Sequence, residues 1–127
     1  MPQLNFILTA QDAARARAFY ERALGATTVW AAPDGTWSVM RLADREFCIE
    51  GNGTGATIDT GFAVEVDDFE QALTAIEQAG GRVHRPGDHA LAVVTDTEAN
   101  RFTVVGPGGC SMHASKFPEP ASASSQA

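Results

Sequence analysis

The chain has 127 residues, enough for one domain with a real core, and its 44% hydrophobic and 20% charged content is that of an ordinary globular protein. A formal net charge of −7 argues against nucleic acid and anionic membrane surfaces as partners and suits neutral or cationic small molecules. No window is long enough for a membrane span and Met1–Ala10 lacks a basic flank. Cys48 and Cys110 form neither a disulfide framework nor a CxxC spacing, so a cytoplasmic location is expected.

The first apolar run, Leu4–Ala10, alternates Leu4, Phe6 and Leu8 against Asn5, Ile7 and Thr9, which predicts a strand. A helix follows over Asp12–Ala23. Ala16, Phe19, Tyr20, Ala23 and Leu24 form its apolar stripe, Asp12 is a natural N-cap, and Gly25 sits where a left-handed residue is wanted. Thr27–Ala32 and Thr36–Leu42 read as a hairpin around Pro33-Asp34-Gly35, and REFCIE, ending at Glu50, is a further strand. GNGTG at Gly51–Gly55 lacks the Lys-Ser/Thr of a phosphate loop and is read as a linker.

The pattern then starts again. Thr60–Val66 is a strand, Asp68–Ala79 a helix with the stripe Phe69, Ala72, Leu73, Ile76 and Ala79, and Gly80-Gly81 its end. Arg82–Arg85 and Ala90–Thr95 match the first hairpin, and NRFTVV matches REFCIE. Phe6 and Phe62, Asp12 and Asp68, Gly25 and Gly81 are each 56 residues apart. A repeat of this size is one supersecondary unit used twice. It predicts an α+β fold of two βαβββ modules, 3–51 and 59–107, joined by a hinge at 52–58 in a single domain, 1–110. The Ser/Ala/Pro-rich tail, 111–127, is expected to be partly disordered.

The element order, with D-x(6)-FY-x(3)-LG (Asp12, Phe19, Tyr20, Leu24, Gly25) and D-x(3)-NRF (Asp96, Asn100, Arg101, Phe102), resembles the vicinal oxygen chelate superfamily. That group includes glyoxalase I, extradiol dioxygenases, and fosfomycin and bleomycin resistance proteins. The resemblance covers about Leu4 to Pro107 and implies a curved eight-stranded mixed sheet around a cleft, commonly in a homodimer. In the metal-dependent members each module gives one ligand from its first strand and one from its last. Carried over, these positions are Asn5, Cys48, Gly61 and Thr103, with Glu50 or Glu65 able to lean in. They hold no imidazole, and Gly61 has no side chain, so no metal or other cofactor is expected. His84 and His89 flank a Pro-Gly turn and His113 starts the tail, which suits solvated surface residues.

The resemblance also sets Trp30 and Trp37 on strands that edge the pocket. Either they stack a planar ligand, or one belongs to the core and the other to a dimer interface. Glu50 and Glu65 on the cavity faces either await a cation or pair with Arg41. Cys48 reads as a small apolar residue more readily than as a nucleophile. The expected ligand-binding set is therefore Asn5, Trp30, Trp37, Cys48, Glu50, Glu65 and Thr103, with no catalytic residues. These features resemble the drug-sequestering branch: a metal-free, small-molecule-binding protein for a planar aromatic compound, neutral or cationic, such as an antibiotic. The alternative is a metal-dependent enzyme of glyoxalase or dioxygenase type built around Glu50.

Overall fold

The computed structural model describes residues 2–109; the expectations for the tail, Cys110 and His113 lie outside them. In chain order the elements are β1 (Ile7–Thr9), α1 (Ala13–Leu24), β2 (Thr27–Ala31), β3 (Trp37–Leu42), β4 (Arg45–Glu50), β5 (Ile58–Glu65), α2 (Phe69–Gln78), β6 (Arg82–His84), β7 (Leu91–Thr95) and β8 (Asn100–Val105). This is the βαβββ unit twice. The eight strands form two four-stranded mixed sheets, ordered β1-β4-β3-β2 and β5-β8-β7-β6. In each, the first strand pairs in parallel with the last and the other pairs are antiparallel.

Both helices start as their caps dictate. The Asp12 carboxylate accepts from the Arg15 N–H at 3.0 Å and that of Asp68 from Gln71 at 3.1 Å. Gly25 closes α1 in the left-handed region, with φ of 73°. Strand β1 is shorter than its apolar run, because its ladder begins where Cys48 N–H meets the Phe6 carbonyl and ends at Ala10 N–H on the Glu50 carbonyl. The β2–β3 turn is held by Asp34, whose carboxylate takes the Thr36 N–H and hydroxyl.

The helix-bearing faces of both sheets meet in one core, with α1 packed on α2. Four phenylalanines related by the repeat form a continuous stack across the module boundary. Centroids are 5.0 Å apart for Phe47–Phe6, 4.5 Å for Phe6–Phe62 and 5.0 Å for Phe62–Phe102. Tyr20 of α1 lies over it and touches Phe47 and Phe102.

A buried polar clamp accompanies the stack. Tyr20 Oη donates to Asp96 Oδ2 at 2.5 Å, and Asp96 also accepts from the N–H groups of Glu98 and Asn100 and from Asn100 Nδ2. Asn100 Nδ2 reaches back to the Thr9 carbonyl at 2.8 Å. The Glu98 carboxylate takes the Gln11 and Asp12 N–H groups and the Arg15 guanidinium, with Nε at 2.7 Å. The D-x(3)-NRF segment of module two is thus bonded to the strand–helix junction of module one. The backbone N–H groups of Glu98 and Asn100 and the Asn100 amide all find acceptors, as burial requires, whereas the Thr97 hydroxyl and Asn100 Oδ1 have no partner among the described residues.

Candidate functional site

Strand register sorts the remaining side chains, because alternate residues face opposite ways. In module one the buried rows are Leu8–Ile49–Ser38 and Phe47–Met40. The interleaved rows are Ile7–Cys48–Val39–Trp30 and Thr9–Glu50–Trp37, and they lie on the face that carries no helix. Ile7 is 56% and Trp30 53% exposed. A bulge between Thr28 and Trp30 keeps Trp30 opposite Val39, so it shares this face with Trp37. Trp37 is diagonal to it across the ladder, within reach of one ligand. Neither indole contacts another ring among the described residues.

Glu50 is half-buried beside Trp37 and has no ion-pair partner among the described residues. Arg41, considered above as its neutralising partner, binds Glu46 instead, at 2.6 Å, because those two are directly opposite in the β3–β4 ladder. Burial, with the Glu46 carboxylate second, pushes the Cys48 thiol up, which keeps it protonated and apolar. Asn5 is exposed and precedes β1.

Module two repeats this arrangement with different chemistry. Its open face carries the rows Asp59–Arg101–Thr95–Arg82, Ala63–Thr103–Val93–His84 and Glu65–Val105–Leu91. A cleft of about 890 Å³ lies over this face, with Phe62, Leu91, Val93 and Val105 among its walls. Arg101 Nε binds Asp59 at 2.6 Å; this contact raises the guanidinium pKa and lowers that of the carboxyl, so both stay charged. Gly61 has φ of 80° and sits at the register shift of β5, a bulge where a side chain would be strained. Glu65 instead borders a smaller gap of about 390 Å³ between the modules, together with Phe6, Leu24, Leu42 and Phe62.

The expected set is therefore divided. Trp30, Trp37, Cys48 and Glu50 come together on one open face, Thr103 lies on the other, and Glu65 stands at the inter-module gap. Asp59, Thr95, Arg82 and Arg101 were not anticipated; only the pairing of β5, β8, β7 and β6 aligns them, and no local pattern encodes it. Among the described residues no three His, Cys, Asp or Glu side chains gather where they could hold a metal ion. The four carried-over positions offer one exposed amide, one protonated thiol, one hydroxyl and no side chain at Gly61. Such donors do not fit a divalent metal. No helix among the described residues is long and apolar enough to cross a membrane.

Comparison with known proteins agrees with this architecture. The family model described as the Glyoxalase/Bleomycin resistance protein/Dioxygenase superfamily matches residues 3–104. No curated protein matches the chain. Among solved structures, the antibiotic binding protein TnmS3 from Streptomyces sp. CB03234 is similar at 18% identity and a TM-score of 0.68, covering 85% of this chain and 98% of its own. The bleomycin resistance determinant encoded on transposon Tn5 is similar at 17% identity and 0.64, covering 85% and 99%. The fosfomycin resistance protein FosX from Listeria monocytogenes, solved as a mutant with Mn(II) and a dihydroxypropylphosphonic acid, reaches 0.73 at 13% identity, covering 92% and 99%. At these identities the likeness concerns the fold.

Proposed function

We propose, for a chain that belongs to the glyoxalase/bleomycin resistance protein/dioxygenase superfamily, that it is a small-molecule-binding protein. It sequesters planar aromatic compounds, cationic ones included, in the manner of an antibiotic resistance protein and without a catalytic metal. One observation carries this reading: two indoles share an open sheet face with the half-buried carboxylate of Glu50, and among the described residues the indoles have no ring partner and the carboxylate no ion-pair partner. Indoles offer flat surface to an aromatic ligand, and an unpaired carboxylate is stabilised when a cation replaces part of its lost water. Antibiotic-binding and bleomycin-resistance neighbours on the same fold support it. The protein works as a homodimer, in which a second copy covers the open faces.

The test is a thermal-shift screen of planar antibiotics and related natural products, followed by quenching of tryptophan fluorescence. A ligand at 100 times its Kd adds about 2.7 kcal/mol, a rise of roughly 10 °C for a domain of this size. Compounds that neither stabilise the protein nor quench its tryptophans would remove the reading. Stoichiometric Zn, Ni, Mn or Fe in protein purified without chelator would replace it with the metal-dependent enzyme reading.

A further inference from the structure

The open face of module two is chemically unlike that of module one. Its outer row is Asp59–Arg101–Thr95–Arg82, running straight across strands β5, β8, β7 and β6. Asp59 accepts from Nε of Arg101, and the two Nη groups have no partner among the described residues. Arg82 has no hydrogen-bond or ion-pair partner among the described residues, nor does the Thr95 hydroxyl. Neighbouring strands lie about 4.8 Å apart, so Arg82 and Arg101 are about 10 Å apart at their backbones with Thr95 between them. Both guanidinia can reach a group lying over Thr95. In a chain of net charge −7, a cation on a cleft wall with no ion-pair partner among the described residues stands against the general trend.

We infer that this row is an anion subsite: Arg82, Arg101 and Thr95 bind the carboxylate, sulfonate or phosphonate of an amphipathic organic ligand. Guanidinium forks suit such oxyanions, and the Thr95 hydroxyl adds a third donor. The ligand's apolar body lies against Leu91, Val93 and Val105, which line the same cleft from the same face. The inference rests on the small-molecule reading above and adds a negative group to what the protein recognises.

Two fluorescent probes with the same arylnaphthylamine body isolate the charge: 8-anilinonaphthalene-1-sulfonate, an anion, and N-phenyl-1-naphthylamine, its neutral counterpart. Both are titrated into the wild type, Arg82→Gln, Arg82→Lys and, as a control on total charge, Arg22→Gln on the exposed end of α1. Arg82→Gln is expected to raise the Kd of the sulfonate about tenfold or more, as loss of a charge-assisted hydrogen bond does, and to leave that of the neutral probe within about twofold. Arg82→Lys should retain most of the affinity, and Arg22→Gln should change neither probe. Far-ultraviolet circular dichroism checks that each variant is folded. Equal shifts for both probes, or equal effects of Arg82→Gln and Arg22→Gln, would overturn the anion subsite while leaving the small-molecule reading standing. Failure of both probes to bind the wild type would overturn the subsite and also count against that reading.

Discussion

Trp30 keeps 53% of its surface exposed and touches no other ring among the described residues, so truncating it should cost the fold little. A planar ligand would feel the loss. Trp30→Ala and Trp37→Ala are expected to weaken its binding about tenfold each, measured by calorimetry, with the melting temperature of free protein nearly unchanged. Glu50→Gln should weaken cationic ligands selectively and reduce their salt dependence. If the tryptophan variants unfold instead, the rings are structural and the binding reading loses its anchor. The inter-module clamp makes a second kind of prediction, because its groups titrate. Burial acts to raise the Glu98 pKa, but the Arg15 hydrogen bond and the Asp12 N–H outweigh it and hold the carboxyl below its ordinary value. A depressed folded pKa gives stability that is present above the unfolded value, about 4.3, and is lost as pH falls through the folded one. For Tyr20, burial first and Asp96 second push the phenol well above its usual range. Its contribution is full below about pH 10 and declines as pH rises beyond that, since the unfolded chain ionises there first. Melting temperature against pH should therefore fall at both ends. Glu98→Gln should flatten the acid limb and Tyr20→Phe the alkaline one, both at a cost at neutral pH. Unchanged limbs in these variants would show that the clamp does not govern either.

Helices and turns were legible in the sequence because their signals are local. The caps at Asp12 and Asp68, the glycine after α1 and the Pro33-Asp34-Gly35 turn each act within a few residues of themselves. What escaped sequence reading depends on distant partners. GNGTG reads as a linker by composition, yet Gly51 presses so closely on the Gly35 carbonyl, and Gly53 on the Ala10 backbone, that neither site has room for a Cβ. Glu98 carries no local signature, although its carboxylate joins two modules. Gly80-Gly81 shows the distinction within one dipeptide. Gly80 serves conformation, with φ of 98°. Gly81 serves packing: a Cβ there would lie 2.7 Å from Phe19 Cε1 and 2.8 Å from Ile76 Cγ2, and both side chains are fully enclosed. Gly81→Ala should thus force α1 and α2 apart and cost about 1–3 kcal/mol. Gly25→Ala meets nothing within 4 Å and should cost only the left-handed backbone strain, about 1 kcal/mol. Urea midpoints for the two variants compare them directly. Equal losses would mean that the helix pair yields more easily than its packing implies.

At the scale of the whole molecule, the repeat explains both how the modules join and what they leave uncovered. Phe6 and Phe62 stack on each other, and Phe47 and Phe102 flank them, so equivalent residues meet at the pseudo-twofold and bury the helix-bearing faces together. The opposite faces gain no such cover from the described residues of the chain. Ile7 and Trp30 on the open face of module one, and Leu4, Val29 and Ile58 outside the open-face rows, remain large, apolar and exposed, more than isolated surface hydrophobics account for. A second copy related by a twofold axis can lay module one of each chain over module two of the other, covering both faces twice with one contact type. The protein is therefore expected to have twice its chain mass of 13.4 kDa by light scattering at micromolar concentration. Leu4 is 87% exposed and supports no core, so Leu4→Lys should leave circular dichroism and monomer folding untouched while shifting the mass toward one chain on dilution. A wild-type mass of one chain would refute the dimer. A Leu4→Lys dimer as tight as the wild type would move the interface away from the start of β1 and onto the remaining exposed side chains of the two sheets.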